Sequence, residues 1–353
     1  MTGFQADETR RDIMRRASAS KPRRAAGKRT WIAGTGLAIA AIVGETPRVF
    51  AQAGSNETSL PPTRSARPAA TPPRTAAEYQ ARARKRLERK DYKLAIEDLD
   101  RAIALEPRLA ALYVARAEVH AAQFHSDLEI DDLTTAIQLD PANPEYRLAR
   151  GLSWSMQGRH RLAMADYNAA IALRPADPRL YVARGNEWKK DLQLDNALVD
   201  YNTAIRLNPR YVPAYISHAL ISRQRRDFVR AAAELTALVA MAPDNAEVHR
   251  LLARILATCN NESVRDGRRA VREATMACQL TKWGDPDCID TLAAAYAESG
   301  DYDSAVKWQR KAIELLRKDV PSTLKRAMNY GGRRGVGFED RLAFYKGKKP
   351  TRE

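Results

Sequence analysis

Five prolines, Pro107, Pro141, Pro175, Pro209 and Pro243, stand 34 residues apart without exception, and each closes an apolar stretch: AIALEP, AIQLDP, AIALRP, AIRLNP and ALVAMAP. A fixed period of this length marks one structural unit repeated along the chain, with neighbouring units stacked to share a core. Small residues recur at two registers within the unit. The first holds Ala83, Ala117, Gly151, Gly185 and Ala219; the second holds Ala102, Ala136, Ala170, Ala204 and then Leu238. Aromatics keep the same period, with Tyr79, Tyr113, Tyr181 and Tyr215 early in the unit and Tyr167 and Tyr201 later.

This pattern predicts a helix–turn–helix hairpin per unit. Small side chains let the paired helices approach, larger ones fill the gap, and proline, which has no backbone N–H to donate, stops the second helix. On these residues the chain resembles the tetratricopeptide-repeat family. The resemblance implies an all-α, right-handed superhelical solenoid of about seven hairpins over residues 75–317. Two units depart from the pattern. Repeat six (246–281) has a lengthened turn around Asn260–Gly267, and repeat two has Glu129 where the others place Ala95, Ala163, Ala197 and Ala231. A looser hairpin is expected at Glu129.

Arg82, Arg116, Arg150 and Arg184 recur at the repeat interval, as do Asp98, Asp132, Asp166 and Asp200, and in repeat five both change together, to His218 and Glu234. The basic residue falls midway along the first helix and the acid midway along the second. They are expected to face each other as a structural strut, since partly buried Arg–carboxylate pairs form bidentate hydrogen bonds.

The resemblance implies a partner-binding groove lined by the first helices. Its groove-facing positions here are an apolar row, Val114, Leu148, Val182 and Ile216, and a second row, Glu118, Leu152, Asn186 and Leu220. Lys189, Lys190 and Arg223 come near the helix ends, with Arg225 and Arg226 in the next turn. A peptide with apolar side chains and acidic flanks suits such a lining. The other reading is that the apolar row packs between neighbouring hairpins and the cations form a solvated face. The family's carboxylate-clamping constellation of Lys and Asn is absent apart from Asn186, so no chaperone partner is inferred.

The N-terminal segment reads as an export signal over residues 1–53. Basic residues from Arg10 to Arg29 precede an apolar run from Trp31 to Gly44, and Ala51 and Ala53 bracket Gln52 as a small-x-small cleavage site. The fourteen apolar residues reach about 21 Å as a helix, short of a hydrocarbon core of about 30 Å. Cleavage after Ala53 and a periplasmic or secreted location are expected; retention as an inner-membrane anchor is the alternative. Thr9–Arg15 resembles the twin-arginine motif but precedes the apolar run by some twenty residues, so both that route and the general secretory route stay open. Residues 54–74, rich in Pro, Ser, Thr and Ala, read as a disordered tether that cannot bury enough apolar surface to fold. Residues 318–353 read as a capping helix and basic tail.

Net charge is +16, but residues 1–53 carry ten Lys/Arg against four Asp/Glu, and the remainder has 49 bases among 39 acids. That bias is too even for a nucleic-acid stripe, although an anionic polymer stays an alternative ligand. The sequence contains no His-Glu-x-x-His, Gly-x-Ser-x-Gly or phosphate-loop motif, and Gly332-Arg-Arg-Gly335-Val-Gly337 has no strand before it. Cys259, Cys278 and Cys288 lack metal spacing, and Cys278 and Cys288 are either bridged or buried thiols. No enzyme and no cofactor are expected. The expected partner is a protein or peptide, with membrane contact only if the N-terminal segment is retained.

Overall fold

A computed structural model describes residues 74–318 and 337–352, all within a unit spanning 50–353. The proposed export signal, all but the last residue of the tether, and residues 319–336 lie outside the described residues. Seven helical hairpins follow one another. They are α1 (Ala76–Glu88) with α2 (Tyr92–Leu105), α3 (Ala110–Ala122) with α4 (Ser126–Leu139), and α5 (Pro144–Met156) with α6 (His160–Leu173). Next come α7 (Pro178–Lys190) with α8 (Leu194–Leu207), α9 (Val212–Gln224) with α10 (Phe228–Met241), and α11 (Ala246–Thr258) with α12 (Gly267–Leu280). The seventh is α13 (Pro286–Glu298) with α14 (Tyr302–Lys318), and a short α15 (Phe338–Lys346) follows. The described chain is an all-α repeat solenoid.

Local chemistry sets the helix ends. Thr75 opens α1 with a reciprocal cap: its hydroxyl accepts from the Glu78 N–H at 3.2 Å, and the Glu78 carboxylate accepts from the Thr75 N–H at 3.1 Å. Asn143, Asp177, Asn245 and Asp285 cap their helices in the same sense, and Pro144, Pro178 and Pro286 occupy the helix-start position where no N–H is needed. In the first five hairpins the second helix ends two residues before the period-marking proline. The turns inside six of the hairpins are three residues long, and the middle residue of each is left-handed: Lys90, Phe124, Gly158, Leu192, Arg226 and Gly300. That conformation lets the turn's last N–H bond back to the first helix, as from Leu192's neighbour Gln193 to the Trp188 carbonyl at 2.9 Å. Only two of the six use glycine.

The first helices of adjacent hairpins pack directly on one another (α1 on α3, α5 on α7, α7 on α9, α11 on α13), and no two second helices pack to that extent. The stack therefore curves toward the first helices. A tyrosine or histidine then ties four of the units to the loop before them: Tyr113, Tyr181 and Tyr215 donate to the carbonyls of Pro107, Pro175 and Pro209 at 3.0–3.2 Å. His249 Nε2 takes the same place 2.8 Å from the Pro243 carbonyl.

The hairpin containing Glu129 is not looser, contrary to expectation. Glu129 is 4% exposed and hydrogen-bonds the Ser153 hydroxyl on α5 of the next hairpin. The acid fills the space that a small Ser153 leaves, where three other junctions put an alanine against a larger apolar residue.

At the far end, α15 packs on α14, and Arg341 Nε donates to Asp290 Oδ1 at 2.7 Å. Asp290 also accepts from Gln309 (2.8 Å) and Arg254 (2.8 Å), all in a nearly dry setting. The Gln309 amide reaches the Phe338 carbonyl at 2.9 Å, and Tyr345 is fully buried. Arg352 lies 2.6 Å from Glu298, so the last described residues are held against α13. Among the described residues no helix is long and apolar enough to cross a membrane.

Candidate functional site

The period-34 charge ladder closes across each hairpin. Arg82, Arg116, Arg150 and Arg184 place Nε and Nη2 on the two oxygens of Asp98, Asp132, Asp166 and Asp200, at 2.5–2.9 Å. In the fifth hairpin His218 Nδ1 lies 3.2 Å from Glu234 Oε1. The arginines do more than the sequence implied. Arg116, Arg150 and Arg184 each turn Nη1 to the second helix of the preceding hairpin, donating to Asp100 (2.6 Å), Thr134 (3.0 Å) and Asn168 (2.8 Å). One guanidinium thus joins two helices of its own unit to the unit before. Hydrogen bonding to Asp132 and Asp100 raises the Arg116 guanidinium further above its ordinary value, against the opposing effect of burial. These groups are spent on structure, so the ladder is not a ligand site.

The expected apolar row is largely inside. Val114, Leu148 and Val182 are buried, which corrects their assignment as surfaces for a peptide. Val114 packs with Ala110, Ala117, Leu133 and Ala136 and with Ala149 of the next hairpin; Val182 packs with Tyr201 and Ala204 and with Ala214 and Ile221 of the next hairpin. Because the first helices lie directly on one another, a side chain at this register points into the seam between them. The other assigned residues remain partly accessible. Ile216 and Leu220 pack at the edge of the largest core cluster, and Asn186 accepts a 2.8 Å hydrogen bond from the Tyr201 hydroxyl.

Lys189 and Arg223 occupy the same register of successive first helices, α7 and α9, and both are half-buried. Burial, then the neighbouring charges of Lys190 and Arg223, hold the Lys189 ammonium below its ordinary value. Lys190 is committed elsewhere: its Nζ donates to Glu187 Oε1 at 2.7 Å and also meets the Ser155 hydroxyl. Arg225 is engaged with Asp195 at 2.5 Å.

Sequence reasoning missed the group beneath these cations. Glu187, 1% exposed, hydrogen-bonds Ser155 and lies 2.6 Å from His160 Nδ1, so it joins hairpins three and four. Burial alone would raise its carboxyl, but hydrogen bonds from Lys190, Ser155 and His160 outweigh that and hold it below the usual carboxylate value. The signal was in the register: Glu187 falls where three other units put Val119, Ile221 and Ile255.

Cys259, Cys278 and Cys288 are buried, and Cys278 and Cys288 are not bridged to each other. Burial, aided by the charge of Asp285, pushes Cys278 up to about 12 and raises Cys288 as well, so neither is a ready nucleophile. Among the described residues no group of three or more His, Cys, Asp or Glu side chains is placed to hold a metal ion.

Residues 130–178 and 216–261 match one tetratricopeptide-repeat family description, and residues 288–319 match a second. No curated protein matches the sequence. Among solved structures, a tetratricopeptide repeat protein from Parabacteroides merdae is similar with a TM-score of 0.51 and 14% identity, over 77% of this chain and 98% of that one. Yeast Tom70 gives a TM-score of 0.57 and 17% identity over 77% of this chain and 53% of its own. The APC/C hetero-tetramer Cut9–Hcn1 gives 0.53 and 13% identity over 72% of this chain and 48% of the other. This chain thus spans about half the length of the last two, and at these identities the likeness is one of fold.

Proposed function

Since this chain is a tetratricopeptide-repeat protein, we propose that it acts as a non-enzymatic scaffold that holds a segment of another protein along its first-helix face. The observation that carries this reading is the half-buried Lys189 beside Arg223, with Asn186, Ile216 and Leu220 on the same two helices. A desolvated ammonium flanked by like charges gains from an incoming carboxylate, while Ile216 and Leu220 offer apolar edge for the side chains next to it. The preferred occupant is a segment that alternates acidic and apolar residues.

Anisotropy of a fluorescent Glu/Leu-rich peptide, against a Lys/Leu-rich peptide of equal length, tests the reading on the full chain. Binding of the acidic peptide, lost in a folded Lys189→Glu/Leu220→Glu variant, is the expected result. Equal binding by the variant overturns it, and circular dichroism verifies that both proteins are folded. Val182→Glu is unsuitable, because Val182 belongs to the core.

The site of action follows from the N-terminal segment, and the reading is export to the periplasm or beyond with cleavage after Ala53. Intact mass after expression in a bacterial host distinguishes a chain beginning at Gly54 from one that keeps residues 31–47 as an anchor.

A further inference from the structure

Between consecutive hairpins, one position of the second helix meets one position of the next first helix. Three junctions fill this contact with alanine against a larger apolar residue: Ala95 with Val119, Ala197 with Ile221, and Ala231 with Ile255. The junction between the second and third hairpins reverses the sizes and changes the chemistry, with Glu129 against Ser153. We propose that this junction is a joint in the solenoid, closed while the Glu129 carboxyl is protonated and loosened when it ionises.

The hydrogen bonds carry the argument. Ser153 Oγ meets both the Glu129 carboxyl and, at 3.1 Å, the Ala149 carbonyl. A hydroxyl has one hydrogen for two acceptors. With Glu129 protonated, the carboxyl donates to Ser153, Ser153 donates to Ala149, and both contacts are satisfied. With Glu129 ionised, Ser153 can serve only one of them, and a buried carboxylate is left with a single hydroxyl at most.

Among the described residues no cation on the surrounding helices is paired with that carboxyl. On α3, Arg116 is bound to Asp132 and Asp100, and His120 lies 3.7 Å from Asp132. Glu118, also on α3, adds a further acid whose carboxyl is raised by burial. On α5, Arg150 is bound to Asp166 and Thr134, and Glu145 is paired with Arg174 and Arg179; Arg147, on the same helix, shows no ion pair to Glu129 and leaves its Nε without a hydrogen bond. On α4 itself, Asp127, Asp131 and Asp132 are acids, and His125 sits in the exposed turn before it. Among the described residues no ion pair reaches Glu129. Burial accordingly raises the Glu129 carboxyl, with only the Ser153 hydrogen bond acting the other way. The sign follows: a raised folded value gives stability that is complete below the unfolded value and is lost as pH rises through the folded one.

The test places a fluorescence donor and acceptor on the full chain at exposed sites either side of the joint, Gln138→Cys on α4 and Val199→Cys on α8, the three native cysteines being buried. Transfer efficiency is followed from just above the ordinary glutamate value, about pH 4.5, to about pH 9, and the Glu129→Gln profile is subtracted to remove the response of other titrating groups. The expected result is a change in the label separation on raising pH, lost in Glu129→Gln, which keeps the hydrogen bond but cannot ionise. Glu129→Ala/Ser153→Val, which copies the Ala95–Val119 junction, should be equally flat. A pH-independent separation in the unaltered joint, or an undiminished response in Glu129→Gln, overturns the proposal.

Discussion

Gly185 lies against the face of Tyr201, so close that a Cβ built on the glycine would stand 2.5 Å from the ring's Cε1. Gly151 and Tyr167 repeat the relationship one hairpin earlier, at 2.6 Å. The other regular hairpins solve the same packing problem with Ala83–Leu99, Ala117–Leu133 and Ala219–Leu235. Small-with-large is therefore matched pair by pair: a tyrosine on the second helix demands glycine on the first, and a leucine allows alanine. The hydroxyl that tyrosine brings is also used, since Tyr201 donates to Asn186 on the first-helix face.

Gly185→Ala should accordingly destabilise the protein despite its better helix propensity. Overpacking against a buried ring costs about 1–3 kcal/mol, against a propensity gain of about 1 kcal/mol. Gly185→Ala/Tyr201→Leu should recover most of the loss, because it recreates the Ala83–Leu99 arrangement. Urea denaturation of the two variants beside the parent reads this directly. A single variant as stable as the parent would mean that the ring shifts without cost.

The guanidinium ladder predicts a larger loss. Arg150→Ala strips Asp166, 4% exposed, of both its bidentate bonds, and it also releases Thr134 in the preceding hairpin. Breaking a buried pair from one side costs about 3–5 kcal/mol, and the lower end applies here because Arg150 keeps some solvent access. Arg150→Ala/Asp166→Ala should be less damaging than Arg150→Ala alone, since no carboxylate is then stranded. Thermal unfolding of the two variants separates the strut from a merely solvated ion pair, for which both would be near neutral.

Turn residues offer a gain. Leu192 has φ of 61° and is 72% exposed, a side chain held in the left-handed region with nothing to pack on. Leaving that region to glycine removes a conformational cost of about 1–2 kcal/mol, offset in part by glycine's greater unfolded-state freedom of about 0.5–1 kcal/mol. Leu192→Gly should raise the melting temperature slightly; Gly158 and Gly300 already occupy the equivalent position of their turns. A lowered melting temperature would show that the leucine makes contacts worth more than the strain.

Periodicity made most of this fold legible, and the reason is physical. A stacked repeat applies the same packing rule at each interval, so Pro107 to Pro243 and the first small-residue register could be read five times over and the Arg–Asp ladder four times. What escaped was the chemistry between units. Val114, Leu148 and Val182 looked like groove lining because register alone does not say how closely one first helix lies on the next. Glu129 looked like a defect because its compensation, Ser153, sits 24 residues further on in another hairpin. Glu187 is an acid in the register that holds Val119, Ile221 and Ile255, but its partners Ser155 and His160 are brought to it only by stacking.

Glu187 should also give the protein an acid-sensitive seam between the third and fourth hairpins. Its carboxyl is held below the usual 4.5 by hydrogen bonds from Lys190, Ser155 and His160, which outweigh the effect of burial. A depressed folded value contributes stability that is present above the unfolded value and is lost as pH falls through the folded one. The stabilising contribution is thus complete above about pH 5 and fades below it as the carboxyl takes up its proton and gives up the charge that holds Lys190. Glu187→Gln keeps the shape but not the charge, so the melting-temperature difference between parent and variant should be largest near neutral pH and shrink on acidification. A difference that stays constant from about pH 7 to about pH 3 would mean that the side chain contributes through packing alone, and that Lys190 and His160 owe nothing to its charge.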